Sequence, residues 1–273
     1  MTRLAAVIGS PVALSLSPAL HNSAFRATGL DWTYVALEVA WGAAASAVEG
    51  MRALRGFDGM SVTVPHKLAV AEALGRLSAT AEALGAVNTI VRDADGELSG
   101  HNTDGEGFLR SLADVGFEPE GRSCLLVGAG GAARAVAWAL AGAGAEEVVV
   151  VNRTPERAVL LAALAGPAGR VGRAEEAGDA DLVVNATPLG MSGRTVDPLP
   201  VDPSHLRAGQ VVLDLVYDPA VSPLLEAAAA RGAHAINGLG MLVHQAAAQF
   251  ALWTGQPAPL EAMFAAVRPS TDR

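Results

Sequence analysis

Short apolar runs alternate along the chain with longer stretches in which apolar positions recur every three or four residues. "RLAAVIG" reads as a buried strand. "SPALHNSAFRATG" reads as a helix, with Ser17 as a candidate N-cap and Pro18 at its first position. "WTYVALEV" predicts a strand, "AAASAVEGMRAL" a helix and "GMSVTV" a strand. Strand and helix alternating in this way predict a mainly parallel sheet with covering helices. Pro65 suits the first position of the next helix, which continues through Leu68 to Leu74 and has Lys67 in its first turn. There the helix dipole disfavours a cation by roughly 0.3–1 kcal/mol, so Lys67 is a candidate for chemistry.

Asp95-Gly96 marks a hairpin turn between two extended runs in "AVNTIVRDADGELSGHNTDG". A hairpin centred there sets Asn88 opposite Thr103 or Asp104, so residues far apart in sequence become neighbours at its open end. A second alternating series starts at Ser123 with "SCLLVGAGGAARAVAWALAGAGAEEVVVVNRT". It runs on through the strands "ADLVVNATP" and "GQVVLDLVY" to a short strand and a long helix in "HAINGLGMLVHQAAAQFALWTG". Two α/β domains meeting at a cleft are expected, with a boundary near residues 101–122.

Composition narrows the function classes. The 273 residues are enough for one large domain or two ordinary ones. A net charge of −9 without a Lys/Arg cluster argues against a nucleic-acid surface. The single cysteine, Cys124, excludes internal disulfides and multi-cysteine metal sites and fits a reducing compartment. Leu4 to Phe25 carries no charge, but Pro11, serines and Asn22 interrupt it, so a secretory signal is not expected. Gly232 to Leu260 lacks Asp, Glu, Lys and Arg, yet its His, Asn, Gln and Pro argue against a membrane span. A cytoplasmic enzyme, monomeric or homodimeric, is the expectation. The six histidines show no ligand spacing, so no metal is expected.

Gly128-Ala129-Gly130-Gly131-Ala132-Ala133 fits G-x-G-x-x-A between an apolar strand and a helix, the context a dinucleotide site requires. Gly128 allows the tight turn, Gly130 lets backbone approach a pyrophosphate, and Ala133 permits close helix packing. The helix N-terminus offers N–H donors to phosphate. The next strand ends at "NRTPER", where an NAD site usually carries Asp or Glu. Asn152, Arg153, Thr154 and Arg157 stand there instead, and two guanidiniums suit a 2′-phosphate. NADP(H) is therefore the expected cofactor. The alternative is a solvated helix start, since Thr154-Pro155 also makes a good cap.

Lys67, Asn88 and Asp104 each have a bland reading taken singly: a solvated lysine, a turn asparagine, a helix cap. Together with "IGSPVALSLSPALHN", "SVTVPHK", "GAVNTI", "GHNTDGEGF", "GAGGAARA", "NRTPER", "NATPLGM" and "NGLGMLVHQAAAQF", they make a chain that resembles the shikimate dehydrogenase family from residue 7 to about 253. The resemblance implies reversible NADPH-dependent reduction of 3-dehydroshikimate to shikimate, in aromatic amino-acid biosynthesis. It implies Lys67 and Asp104 as the catalytic pair. It implies substrate contacts from Ser15, Ser17, Thr63, Asn88, Tyr217 and Gln245. Cofactor contacts are implied at the glycine loop (Gly128, Ala129, Gly130, Gly131, Ala132), at Asn152, Arg153, Thr154 and Arg157, and, near the nicotinamide, at Thr187, Leu215, Gly238 and Met241. Residues 1–103 with 238–273 are expected to bind substrate, and 104–237 to form a Rossmann dinucleotide-binding domain.

The chemistry agrees: reducing a ketone builds negative charge on oxygen, and an ammonium beside it can stabilise that charge and donate a proton. Gln245 shares a helix face with Met241, Ala248 and Leu252, and a glutamine in an apolar stripe needs a polar partner, whether a substrate hydroxyl or a backbone carbonyl. Two positions depart from the usual family pattern. Ser61 replaces an Asn before "VTVP", and His244 stands where a small residue is common. Both are expected near the substrate wall, so quinate or an aminated shikimate analogue is an alternative substrate. A non-catalytic NADP-binding regulator is a rival reading that loss of Lys67 or Asp104 would have favoured; both are present.

Overall fold

The structure, a computed structural model, describes residues 2–193 and 199–268. The last residues of the expected substrate span, 269–273, lie outside the described residues. The chain divides into two compact units, Met1–Gly107 with Val243–Arg273, and Phe108–Leu242.

The first unit holds β1 (Arg3–Gly9), α1 (Ser17–Thr28), β2 (Trp32–Glu38), α2 (Ala44–Ala53), β3 (Phe57–Val62), α3 (Lys67–Ala73), α4 (Ala79–Leu84), β4 (Thr89–Arg92), β5 (Leu98–His101) and the start of α5 (Asp104–Ala113). Its sheet runs β2-β1-β3-β4-β5. β1 pairs parallel with β2 and β3, and the hairpin strands β4 and β5 add on antiparallel. Ile8, Met60, Val62, Ile90 and Leu98 fill one apolar core of this unit. Elsewhere in the unit the rings of His21, Phe25, Trp32, Tyr34, Phe250 and Trp253 pack in a chain of contacts.

Two expected helix starts shift. Leu16, not Ser17, is the N-cap of α1, and Ser17 becomes its first residue because the Ser15 hydroxyl accepts the Ser17 N–H. Pro65 precedes α3 instead of opening it: the chain turns first, His66 N donates to Thr63 O, and Lys67 is the first helical residue.

The second unit holds β6 (Ser123–Val127), α6 (Gly131–Gly142), β7 (Glu147–Val151), α7 (Pro155–Leu164), β8 (Gly169–Val171), β9 (Leu182–Asn185), β10 (Val211–Asp214), α8 (Pro223–Ala230) and β11 (His234–Asn237). α9 (Leu239–Thr254) and α10 (Leu260–Val267) follow. Its six strands are all parallel, in the order β8-β7-β6-β9-β10-β11. That is the 3-2-1-4-5-6 order of a Rossmann sheet. Cys124 and Leu126 face one core, Leu125 and Val127 the other. A strand buried on both faces reads as a continuous apolar run, which is why this series stood out.

The unit boundaries fall inside α5 and α9 rather than at residues 103 and 238. Thr103 and Asp104 are bonded to Asn88, which keeps the first turn of α5 with the first unit. Phe108, Leu112 and Met241 sit in the core of the second. Among the described residues no helix is long and apolar enough to cross a membrane.

Candidate active site

The first unit assembles the expected proton-transfer pair. The turn after β3 is pinned by His66, whose Nε2 lies 2.8 Å from Val39 O, and by Val87 N donating to Lys67 O. Lys67 Nζ reaches Asp104 Oδ2 at 2.5 Å, with only 12% and 6% of the two side chains exposed. Asp104 is the first residue of α5, where the helix dipole favours a carboxylate by about 0.3–1 kcal/mol. Its own N–H is taken by Asn102 Oδ1. The dipole penalty on Lys67 at the start of α3 is thus offset by a buried partner carboxylate.

Asn88 is the hub, one residue off the expected pairing: Thr89 pairs with His101, which sets Asn88 level with Asn102, and its side chain reaches on to Thr103 and Asp104. Its Nδ2 donates to Thr103 Oγ1 at 2.9 Å and to Asp104 Oδ1 at 2.8 Å, and lies 3.4 Å from Gln245 Oε1. Its Oδ1 accepts from Thr103 N and Thr89 Oγ1. Thr103 Oγ1 also donates to Gln245 O, which fixes α9 against the start of α5. Gly107 makes that approach possible: a Cβ there would stand 2.6 Å from Gln245 N. Ser15, Ser17 and Thr63 belong to the same unit, Ser17 buried and the other two partly exposed.

The two positions that depart from the family pattern are interior. Ser61 does not line an open wall; it is buried and hydrogen-bonded to Tyr34 and Gln249. His244 is also buried and stands edge-on to Phe264, at 5.6 Å between ring centroids. Both departures from the family pattern are therefore absorbed by interior contacts. The buried face of α9 also continues differently, through Gln245, Gln249 and Trp253, while Leu252 is exposed.

The sequence reading also missed His21. It is fully buried, stacked on Tyr34 at 4.4 Å, and burial pushes its pKa down to about 3 against a weaker upward pull from Gln249. The folded chain then binds fewer protons here than the unfolded chain below about pH 6.5, so stability falls as pH drops. We expect His21→Gln to remove a slope of up to about 1.4 kcal/mol per pH unit between roughly pH 6 and 4. Denaturant melts across that range check it. Parallel stability curves for variant and wild type contradict a neutral buried His21.

The second unit supplies the nucleotide loop. Gly128 ends β6 with φ +109°, and a Cβ there would press on Ala186 O at 2.9 Å. Gly130 caps α6, and a Cβ on it would meet no atom within 4 Å. Open space at a helix N-terminus is what a pyrophosphate needs. Gly131 opens α6, with Ala129 just before the cap and Ala132 following. Beyond β7, Asn152 Nδ2 donates to Thr154 O and shapes the turn into α7, while Arg153 and Arg157 are exposed. Thr154 is the N-cap of α7 by position, but its side chain makes no cap bond. The donor set fits NADP(H).

Thr187 and the segment Leu215–Tyr217 are held by one buried cluster that the sequence did not reveal. Asn185 Oδ1 accepts from Thr187 N and Oγ1, and its Nδ2 donates to Asp214 Oδ1 at 2.8 Å. Asp214 also accepts from Val216 N and Ser222 Oγ. Burial raises the Asp214 carboxyl above its usual range, against these hydrogen bonds. Tyr217 belongs to this unit; burial, then Asp218, raises its phenol. Gly238 packs so closely on Leu215 that a Cβ would collide with its carbonyl, and Met241 lies in the core.

Comparison with known proteins agrees along the chain. Residues 7–90 match the shikimate dehydrogenase substrate binding domain, 111–188 match shikimate / quinate 5-dehydrogenase, and 238–268 match the shikimate 5'-dehydrogenase C-terminal domain. A shikimate dehydrogenase (NADP(+)) from Moorella thermoacetica is 50% identical over 272 residues, covering 96% of this chain and 91% of the relative. The chain belongs to the shikimate dehydrogenase family. Within that family, the shikimate 5-dehydrogenase structure from Thermus thermophilus, in complex with NADP(H) and shikimate, is 39% identical with TM-score 0.89. The match covers 97% of this chain and 98% of that one. A quinate dehydrogenase from Corynebacterium glutamicum, in complex with NAD, is 34% identical with TM-score 0.88, covering 97% and 98%.

Proposed function

We propose that this chain catalyses the reversible NADPH-dependent reduction of 3-dehydroshikimate to shikimate, and so serves aromatic biosynthesis. The observation that carries the reading is the buried Lys67–Asp104 pair with Asn88 bonded to it. A buried ammonium and carboxylate so supported stay charged and aimed, as proton transfer to a ketone oxygen requires. The first unit is assigned to substrate and the second to NADP(H), the latter on the loop at Gly128–Gly131 and the cationic turn after β7.

Bound on that loop, the reduced nicotinamide supplies the hydride. Lys67 Nζ donates a proton to the carbonyl oxygen as charge develops there. Asp104 Oδ2 aims the ammonium and keeps it in place. Asn88 holds Asp104 Oδ1 and fixes the carboxylate plane. In the reverse direction Lys67 Nζ takes the hydroxyl proton back. Ser15, Ser17, Thr63, Asn88, Tyr217 and Gln245 supply polar groups for the ring hydroxyls and carboxylate. Thr187, Leu215, Gly238 and Met241 are assigned to the nicotinamide end. A cytoplasmic monomer or homodimer completes the reading; the single cysteine supports a reducing compartment.

The test is consumption of NADPH on addition of 3-dehydroshikimate, with product identified by NMR. One shikimate formed per NADPH consumed is expected. Protein that binds NADPH but leaves 3-dehydroshikimate untouched overturns the reading.

A further inference from the structure

Behind the Lys67–Asp104 pair lies a buried polar cluster that the proposed chemistry does not use. Gln249 is on α9, one turn after Gln245, and is 1% exposed. Its Oε1 accepts from Ser61 Oγ at 2.8 Å and lies 3.3 Å from His21 Nε2. Its Nε2 donates to Asn88 O at 3.3 Å, an oxygen that also accepts Val62 N. Ser61 Oγ accepts from the Tyr34 hydroxyl at 2.6 Å, and the Ser17 side chain lies beside that hydroxyl.

The orientation of the carboxamide follows from these partners. Turned over, it would set its oxygen against Asn88 O, an acceptor with no proton to give. With Oε1 facing the ring, the one N–H of a neutral His21 belongs on Nε2. The side chains of the cluster come from α1, β2, β3 and α9, and its two ends are Ser17 and Asn88. Both ends are residues assigned to substrate above.

We propose that Gln249 is a positioning residue of the substrate subsite: through Ser61 and Tyr34 its carboxamide sets the spacing between Ser17 and Asn88. It touches neither substrate nor cofactor and acts through the two residues that do. The inference builds on the activity proposed above.

Gln249→Met keeps the volume and removes all three bonds. Tyr34→Phe keeps the ring on His21 and removes only the hydroxyl that bonds Ser61 beside Ser17. We expect Gln249→Met to raise KM for shikimate by about 5–20-fold, the scale of one or two lost buried hydrogen bonds. KM for NADP⁺ should stay within about twofold. Tyr34→Phe should raise KM for shikimate about threefold or more, and the double variant should fall short of the product of the two effects. A folded Gln249→Met with a lowered Tm and unchanged KM for shikimate overturns the proposal, because the cluster is then structural only. If Gln249→Met fails to fold, Tyr34→Phe decides by the same criterion. Wild-type turnover of shikimate is measured first. Unchanged variants beside an active wild type overturn the positioning role alone; an inactive wild type overturns the proposed activity and this role with it.

Discussion

Lys67→Ala is expected to lower kcat for shikimate oxidation by at least about 10²-fold, the scale on which a positioned acid/base group contributes. Shikimate affinity should change far less, because Ser17, Asn88 and Gln245 remain. The geometry argues against a solvated lysine. The side chain is 12% exposed and its ammonium is spent on a buried carboxylate. The variant leaves Asp104 buried, and stranding one member of a buried pair can destabilise by about 3–5 kcal/mol. Asn88 Nδ2 still donates to Asp104 Oδ1, which puts the loss at the lower end or below. Kinetics are therefore read on protein whose melt has been recorded. Unchanged turnover in folded Lys67→Ala contradicts the acid/base role.

The second large effect is expected at Arg153. Arg153→Asp should weaken NADP⁺ binding by at least about tenfold, the loss of one charge-assisted contact to phosphate together with a new repulsion. NAD⁺ binding should change little or tighten, since a carboxylate at the end of the second Rossmann strand accepts ribose hydroxyls. Arg153 is exposed, and the turn is shaped instead by Asn152 bonding Thr154 O, so the substitution leaves the fold intact. Calorimetric titration with each nucleotide reads it. Equal weakening of both contradicts a 2′-phosphate site.

Local signals carried the hairpin, the nucleotide loop and the cationic turn; the other assigned residues followed from the family resemblance. The Asp95-Gly96 turn brought Asn88 near Thr103 and Asp104 but missed the register by one residue, because the loop holds three residues, Ala94 to Gly96, and not two. The all-parallel second sheet was legible because strands buried on both faces are uninterrupted apolar runs. Helix starts were less so. Ser17 and Pro65 carry strong cap chemistry, but a side-chain bond from Ser15 and a turn before Lys67 each moved the start by a residue or two. The cluster of His21, Tyr34, Ser61 and Gln249 was not legible: its members lie on four elements, and nothing in the spacing of one element reports what another brings to it. Its nearest signal was a second glutamine one turn after Gln245, on a face otherwise read as apolar. The interior contacts of Ser61 and His244 were hidden for the same reason, since only the tertiary structure shows them. The Asn185–Asp214–Ser222 cluster likewise joins residues from two strands and a helix cap.

The most direct measurement is absorbance at the nicotinamide band with the purified chain, offering NADP⁺ or NAD⁺ with shikimate or quinate in turn. Fast reduction with shikimate and NADP⁺, and slow or no reduction in the other three pairings, is the predicted result. Preferential turnover of quinate with NAD⁺ would contradict it, and would require both the cationic turn at Arg153 and the substrate assignments around Asn88 to be read differently.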